Sequence, residues 1–247
     1  MAEPEQQVQE EVKQVYRSKQ GFIKMPIIRG ISEIRHLLKI LEGYKDVAFI
    51  CGGYARYCAA PTASPIEATD VDIYCHDEET FSKLKEEFKE LEIRHENDVS
   101  LTYKRPESGP YAYHVPVQLI KPILEGAIVA RGTMETILSN FDFSIIRVGI
   151  LSEEQVLADA DFEHDEKHRL LRLKNIHCPI SSTLRCMKYS RKGYYLRPFE
   201  GLKLFIDWSN RSDDYRFKLV AFLEKSDQDE GLSKEEVEEL EKLMRID

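Results

Sequence analysis

Residues 47–75 read VAFICGGYARYCAAPTASPIEATDVDIYC, and this stretch decides how the rest of the chain is interpreted. An apolar run ends in Gly52-Gly53, a short helical segment follows, and a loop leads to the run DVDIY at residues 70–74. Side chains alternate between faces along a strand, so Asp70 and Asp72 are predicted to point to one side. Two adjacent carboxylates repel each other unless a cation lies between them. Mg²⁺ suits such a pair and usually shares phosphate oxygens with a substrate.

The pattern has two halves, and the glycine pair Gly52-Gly53 is the second of them. Because Gly52 and Gly53 have no Cβ, a phosphate can approach their backbone closely. A helix beginning at Tyr54 would point its free N–H groups at the same place. Either half alone is common, since glycine pairs occur in many turns and acidic pairs on many solvated strands. Their ordered combination predicts an anion cradle beside a metal site. The simpler alternative is a strand–turn–helix unit with two surface aspartates.

This order of strand, glycine pair, helix and acidic strand resembles the head domain of the nucleotidyltransferase superfamily. The branch that contains poly(A) polymerases and CCA-adding enzymes is similar in more detail. Its GGxVRD motif matches GGYAR at residues 52–56, although Tyr57 stands where the family has Asp. Its DxDh motif matches Asp70 and Asp72, followed by Ile73.

Two later segments resemble the same branch less closely. NFDFSI at residues 140–145 is similar to the RRDFTINAL motif, with Asp142 at the family aspartate and both leading arginines absent. Residues 182–194 resemble the arginine-bearing neck helix, with Arg185 retained and Lys188 at the position of a second arginine. All four segments follow the family's chain order.

The resemblance implies an α+β fold: a nucleotidyltransferase-type head, with a small mixed sheet flanked by helices, followed by a helical C-terminal region. We place the head with an N-terminal helical arm at residues 1–152 and the helical domain at 153–247. Asp70 and Asp72 are then the catalytic residues and the ligands of Mg²⁺ or Mn²⁺. The implied nucleotide-binding residues are Gly52, Gly53, Arg56, Asp142, Arg185 and Lys188.

Several roles stay open at the level of sequence. Many superfamily members use a third carboxylate on a following strand, and the matching run VPVQLI offers only Gln118. Either Asp142 substitutes for the third acid, or the site works with two carboxylates. Arg56 either pairs with a local acid or contacts phosphate. Asp142, between two phenylalanines, either pairs with an arginine of the head or binds the nucleotide. Arg185, Lys188 and Arg191 lie on one helix face that is either solvated or in contact with phosphate or a base.

The remaining elements follow from periodicity and capping. Helices are predicted over residues 34–41, 79–95, 133–140, 159–173, 181–193, 202–208, 215–223 and from Ser233 onward, and strands over 47–51, 70–74, 100–105 and 113–120. Residues 141–151 fit either a strand or a buried helix, and residues 1–20 a polar helix or frayed arm. His164 and His168, four residues apart, offer a weaker metal-binding alternative on a helix.

Composition narrows the partners. The 247 residues carry a net charge of −9, and 42% are apolar. No run approaches the roughly 20 apolar residues of a membrane span, and the polar N-terminus is unlike a secretory signal. Five cysteines without a C-x-x-C pair fit reduced thiols in a cytoplasmic protein. Basic residues cluster between 167 and 203, which suits a phosphorylated small molecule or a short nucleic-acid end better than a long duplex.

These observations predict a metal-dependent nucleotidyltransferase that binds an NTP, ATP among them, and transfers NMP to a hydroxyl. The acceptor is an RNA 3′ end, tRNA-like, or a hydroxyl of a protein or small molecule. We expect a stand-alone type, as in phage and bacterial genomes, because an acidic helix stands where the family continues into tRNA-holding domains. The alternative is a degenerate scaffold with a binding or regulatory role, which the absent third acid and Tyr57 favour. A glycosyltransferase with an Asp-x-Asp metal site would leave the glycine pair unexplained.

Overall fold

The computed structural model describes residues 21–61, 70–104, 116–122, 132–177 and 179–226. Within these residues, eight strands form one mixed sheet in the order β1-β8-β7-β2-β3-β6-β5-β4, and β9 and β10 form a small parallel pair. The strands are β1 (Phe22–Pro26), β2 (Ala48–Cys51), β3 (Val71–Cys75), β4 (Ile93–Glu96), β5 (Ser100–Tyr103), β6 (Val117–Ile120), β7 (Val148–Ile150), β8 (Gln155–Asp159), β9 (Leu170–Leu171) and β10 (Tyr195–Leu196).

Eight α-helices accompany the strands in the described part of the chain, and a short 3₁₀ helix spans Ser144–Ile146. The α-helices are α1 (Ile31–Glu42), α2 (Gly53–Ala59), α3 (Glu78–Glu87), α4 (Met134–Ser139), α5 (Phe162–His168), α6 (Pro179–Ser190), α7 (Pro198–Ser209) and α8 (Asp213–Ser226). None of the described helices is both long and apolar enough to cross a membrane.

The central strand β3 shows how the sequence pattern positions the site. Its burial alternates, with Val71, Ile73 and Cys75 fully buried on one face. That face packs under α1 and α3 and forms the largest core cluster. The opposite face carries Asp72 and Tyr74, so the strand divides the sheet into a core side and a side that bears the acid. β2 is buried along its whole length between β3 and β7.

A second core joins the head to the helical region. Phe143 and Ile145, in and beside the 3₁₀ helix, pack with Leu171 and with residues of α6 and α7. The segment that sequence periodicity left as a strand or a buried helix is therefore a 3₁₀ turn followed by β7. Its apolar residues serve two cores at once, which explains why no single period describes them.

The predicted fold class is confirmed, and several element boundaries are corrected. The helix predicted over 79–95 ends at Glu87, and the residues beyond it form β4, which pairs with β5. The helix predicted over 159–173 is confined to Phe162–His168, because Arg169 adopts a left-handed conformation (φ 54°) and strands flank it. Strand β1 was not predicted from the sequence.

The division of the chain at residue 152 stays a proposal. Strand β8 pairs with both β1 and β7, so the main sheet continues to Asp159. The expected arm at residues 1–20 and the helix beginning at Ser233 lie outside the described residues.

Candidate active site

The glycine hinge lies directly against the acidic strand. Gly52 precedes the first residue of α2 and has a φ of +83°, in the region that side chains disfavour. Its N–H donates to the carbonyl of Val148 at 2.8 Å. A Cβ built on Gly52 would lie 3.7 Å from Oδ2 of Asp72 and 3.6 Å from Phe141, whereas one on Gly53 would meet nothing within 4 Å. The predicted approach of Asp72 to the hinge is therefore present, and Gly53 faces open space.

A cleft of about 220 Å³ brings most of the predicted residues together. One wall comes from the head and carries the glycine pair and the acids, and the other comes from α6 and carries cations. The lining consists of Gly52, Gly53, Asp70, Asp72, Tyr74, Asn140, Phe141, Asp142, Ile146, Arg185, Lys188, Tyr189 and Lys192. A larger cavity of about 680 Å³ is bordered by α1, α4 and β7 and includes none of the predicted residues.

Asp72 is held in a state that favours a bound cation. Its Oδ1 atom is buried and has no hydrogen-bond partner among the described residues. Burial raises the pKa of Asp72 to about 7, with repulsion from Asp70 in the same direction, while Lys188 and Arg185 oppose the shift. A half-buried carboxylate with one buried, unpartnered oxygen and an acidic neighbour is a favourable ligand for a divalent cation. Within the described residues, no group of three or more His, Cys, Asp or Glu could hold a metal, so the pair stands without a third such ligand and His164 and His168 form no site.

The cationic wall follows one side of α6. Arg185 and Lys188 lie on the helix and Lys192 in the turn just after it, and all three line the cleft. Arg185, Lys188 and Arg191 are exposed, so this helix face is solvated, and its first two residues also line the cleft. Lys192 was missed by sequence reasoning, although its distance of four residues from Lys188 was an available signal. Arg191, which shares helical spacing with Arg185 and Lys188, is absent from the lining.

Asp142 combines the two roles that the sequence left open. Its side chain is buried, and Oδ2 accepts hydrogen bonds from Ser182 at 2.9 Å and from Arg185 at 2.8 Å. Its Oδ1 is buried without a hydrogen-bond partner in the described part of the chain. The ion-pair partner is an arginine of α6 and not one of the head. Asp142 thereby joins the two walls and retains an oxygen that can accept a hydrogen bond from a ligand.

Gln118 occupies the position expected for a third acid. It pairs in register with Asp72 between the parallel strands β3 and β6, so the two side chains share a face of the sheet. Its Nε2 donates to the hydroxyls of Ser100 at 2.8 Å and Thr102 at 3.1 Å. The strand beside Asp72 therefore supplies a neutral amide, which is a weaker ligand for a hard cation than a carboxylate.

Arg56 is the predicted nucleotide-binding residue that the structure removes from the cleft lining. Its side chain is buried, and Nε lies 2.6 Å from Oε1 of Glu166. Burial alone would lower the pKa of Arg56, but attraction from Glu166 reverses this and the net shift is upward. The acid that pairs with Arg56 was expected to be close in sequence, but it is 110 residues away. The geometry favours the ion-pair alternative, because a guanidinium enclosed in this way does not contact a nucleotide in the cleft.

Comparison with known proteins shows the fold. No protein-family model and no curated protein matches the chain. Among solved structures, the CCA-adding enzyme of Bacillus stearothermophilus in complex with CTP aligns with a TM-score of 0.50 and 16% identity, over 68% of this chain and 42% of that one. The Thermotoga maritima CCA-adding enzyme complexed with tRNA aligns with a TM-score of 0.50 and 15% identity, over 75% and 45%.

The chain spans less than half the length of these two structures. At this level of identity the likeness concerns the fold alone. The chain has the mixed α/β fold of a nucleotidyltransferase head domain.

Proposed function

We propose that this protein is a metal-dependent nucleotidyltransferase that moves a nucleoside monophosphate from an NTP to a hydroxyl acceptor. The observation that carries the proposal is the opposition of two walls in one cleft. Asp72 approaches the Gly52 hinge on one wall, and three cations in and just after α6 lie on the other. Nucleotidyl transfer depends mainly on positioning and on neutralising charge, and these are the properties that such a cleft provides.

Asp70 and Asp72 are the residues that would hold Mg²⁺ or Mn²⁺. When bound, divalent ions at such a site lower the pKa of an attacking hydroxyl and neutralise the charge of the leaving pyrophosphate. The orphaned Oδ1 of Asp72 and the raised pKa of its carboxyl support this assignment. The deprotonated carboxylate of Asp72 is favoured above about pH 7, where fewer protons compete with a cation for its oxygens.

The remaining residues bind the nucleotide. The open backbone at Gly53 allows close approach of a phosphate, and Arg185, Lys188 and Lys192 supply charge-assisted hydrogen bonds to phosphate oxygens. The free oxygen of Asp142 accepts a hydrogen bond from the nucleoside part. Tyr74 and Phe141, whose ring centroids are 5.3 Å apart, form an apolar boundary of the cleft.

We take an RNA 3′ end as the first acceptor to test. The two similar structures are CCA-adding enzymes, one complexed with tRNA and one with CTP. A hydroxyl of a protein or of a small molecule is the next choice. A stand-alone enzyme of phage or bacterial type, a cytoplasmic location and a domain division at residue 152 belong to the same proposal.

One observation favours a second candidate, a degenerate scaffold with a binding or regulatory role. Gln118 is the neutral residue beside Asp72, and its amide is engaged by two hydroxyls. A chain that binds an NTP without releasing pyrophosphate would match this candidate.

The experiment that separates the candidates measures pyrophosphate release. The chain is incubated with Mg²⁺ or Mn²⁺, with each labelled NTP, and with total RNA or the protein itself as acceptor. We expect release by the native chain and none by Asp72→Asn, while Asp214→Asn, an exposed substitution on α8, behaves as the native chain does. Absence of release from the native chain under all conditions would contradict the enzyme, and NTP binding in that case supports the scaffold.

A further inference from the structure

The two walls of the cleft come from segments far apart in the chain, and a buried cluster lies between those segments. The first link begins at the glycine hinge. The N–H of Arg56 donates to the carbonyl of Gly52 at 2.9 Å, so Arg56 lies in the first turn of α2, just after the hinge. Any displacement of the Arg56 backbone is therefore passed to the glycine wall.

The second link is the buried ion pair. The guanidinium of Arg56 contacts both oxygens of Glu166, with Nε–Oε1 at 2.6 Å and Nη2–Oε2 at 3.4 Å. Nη2 of Arg56 also donates to the hydroxyl of Tyr194, which in turn donates to Oε2 of Glu166 at 2.7 Å. The three side chains form a closed triangle of hydrogen bonds. A planar guanidinium is suited to such a triangle, and a lysine cannot reproduce its geometry.

The third link reaches the cationic wall. The N–H of Tyr194 donates to the carbonyl of Tyr189 at 3.0 Å, and the two rings pack edge to face at 5.7 Å. The Arg56 guanidinium carbon lies 5.0 Å from the centroid of the Tyr194 ring and 5.6 Å from that of Tyr189. Tyr189 itself lines the cleft, on the same helix as Arg185 and Lys188. Contacts thus run without interruption from the hinge to the cationic wall.

We propose that Arg56, through Glu166 and Tyr194, is a positioning residue that fixes the separation between the glycine wall and the cationic wall of the cleft. That this separation serves to hold a triphosphate rests on the proposed function. That Arg56 fixes the separation does not. The free-energy cost of burying the Arg56–Glu166 ion pair supports a role in fixing geometry more than a role in adding stability. Removing two charges from water is expensive, and packed apolar residues are often as stable as a buried ion pair.

The chain offers a matched control in Arg172. Its side chain is as deeply buried as that of Arg56. It makes a two-pronged pair with Asp165, at 2.9 and 3.0 Å, and a further pair with Asp161. These acids lie in or just before α5, within 11 residues of Arg172 in the sequence. Arg172→Lys therefore tests the loss of a buried fork within one local segment, whereas Arg56→Lys tests the loss of the fork that joins α2 to Tyr194.

The experiment measures the distance between α6 and α4, a helix whose Met134 packs in one cluster with Cys51, the residue just before the glycine hinge. Spin labels are attached at Glu135→Cys on α4 and Met187→Cys on α6, both exposed positions, and the distance distribution is recorded by pulsed electron paramagnetic resonance. Labelling of the chain without these two substitutions gives the baseline, since the described native cysteines are buried. We expect Arg56→Lys to shift or broaden the distribution by more than about 2 Å, the scale of a genuine rearrangement. Arg172→Lys is expected to leave it unchanged.

A binding measurement completes the test. Arg56→Lys is expected to weaken binding of a non-hydrolysable NTP roughly 10-fold, equivalent to about 1.4 kcal/mol, with Arg172→Lys close to the native value. If the native chain binds no NTP, the proposed function fails while the distance measurement still decides the positioning role. An unchanged distribution in Arg56→Lys, or equal broadening in both variants, overturns the inference. If Arg56→Lys does not fold, Tyr194→Phe, which keeps the ring and removes the hydroxyl, is judged by the same criterion.

Discussion

The Asp-x-Asp pattern occurs twice among the described residues, and these two copies have opposite surroundings. Asp70 and Asp72 face the cleft, where Oδ1 of Asp72 has no hydrogen-bond partner among the described residues. Asp159 and Asp161 are both buried, and Nζ of Lys174 lies 2.8 Å from an oxygen of each. In the second copy Lys174 bridges the two acids, whereas in the first copy one oxygen of Asp72 lacks such a partner within the described residues.

This difference separates acids that the protein neutralises itself from the acid to which the proposed function assigns a metal. Asp159 and Asp161 belong to a buried charge cluster, the second cluster, which also contains Asp165, Arg172 and Lys174. Asp165 accepts hydrogen bonds from Arg172 at 2.9 Å and from Ser144 at 2.6 Å, so its charge is balanced inside the protein. Lys188 and Arg185 lower the pKa of Asp72, but they only partly offset the increase that burial causes. An aspartate is therefore informative about ligand binding only when the folded protein leaves one of its oxygens without a partner, as at Asp72 in the described part of the chain.

The largest effect is expected from removing the uncompensated acid. Asp72→Asn should lower nucleotidyl transfer by roughly 1,000-fold, because a metal ligand and its charge are lost together. The midpoint of thermal unfolding without metal should stay equal or rise, since the substitution removes a buried charge. Pyrophosphate release and a melting curve check both parts. Activity within a factor of ten of the native chain would place the metal elsewhere.

Removing an acid from the second cluster should lower the stability of the protein. Asp165→Asn leaves the buried Arg172 without its main partner, so we expect the free energy of unfolding to fall by about 3–5 kcal/mol. Urea unfolding monitored by circular dichroism measures this loss. A loss below about 1 kcal/mol would mean that this cluster is no better satisfied than the cleft.

The pH dependence of stability should distinguish the two clusters as well. The pKa of Asp72 is about 7 in the folded chain and roughly 4 when unfolded. Between these values the unfolded state binds fewer protons, so the stability of the native chain relative to Asp72→Asn falls as pH rises, and it levels off above pH 7. Urea unfolding of both proteins at several pH values gives the difference. Added Mg²⁺ at pH 8 should reduce it, and a difference independent of pH would contradict the raised pKa.

The smallest effect concerns the cationic wall. Lys192→Met should weaken NTP binding about 10-fold through loss of one charge-assisted contact to phosphate. Arg191→Met, the neighbouring position outside the cleft lining, serves as the control and should change binding little. Isothermal titration at low and high salt measures both. Equal losses in the two variants would mean that net charge, and not the cleft, governs binding.

Sequence reasoning succeeded where a local pattern carries its own geometry. Gly52 and Asp72 were predicted to meet because a glycine turn and a two-residue strand period leave few alternatives. It failed where the contact is distant. The partner of Arg56 is Glu166, and no spacing in the chain relates them. The helix predicted over 159–173 was too long at both ends for a similar reason, since Asp159 pairs within the main sheet and Leu170 and Leu171 pair with β10.

The sequence by itself determined the α+β class, the glycine hinge and the face of β3 that carries the acids, because these follow from backbone freedom and side-chain alternation within a few residues. Only the tertiary structure decided which Asp-x-Asp pair is neutralised by a protein cation. It also decided that Arg185, Lys188 and Lys192 lie opposite the acids of the cleft, and that Arg56 is buried outside the cleft. Those outcomes depend on which charges meet after folding, and charge pairing across a hundred residues leaves no periodic trace in the chain.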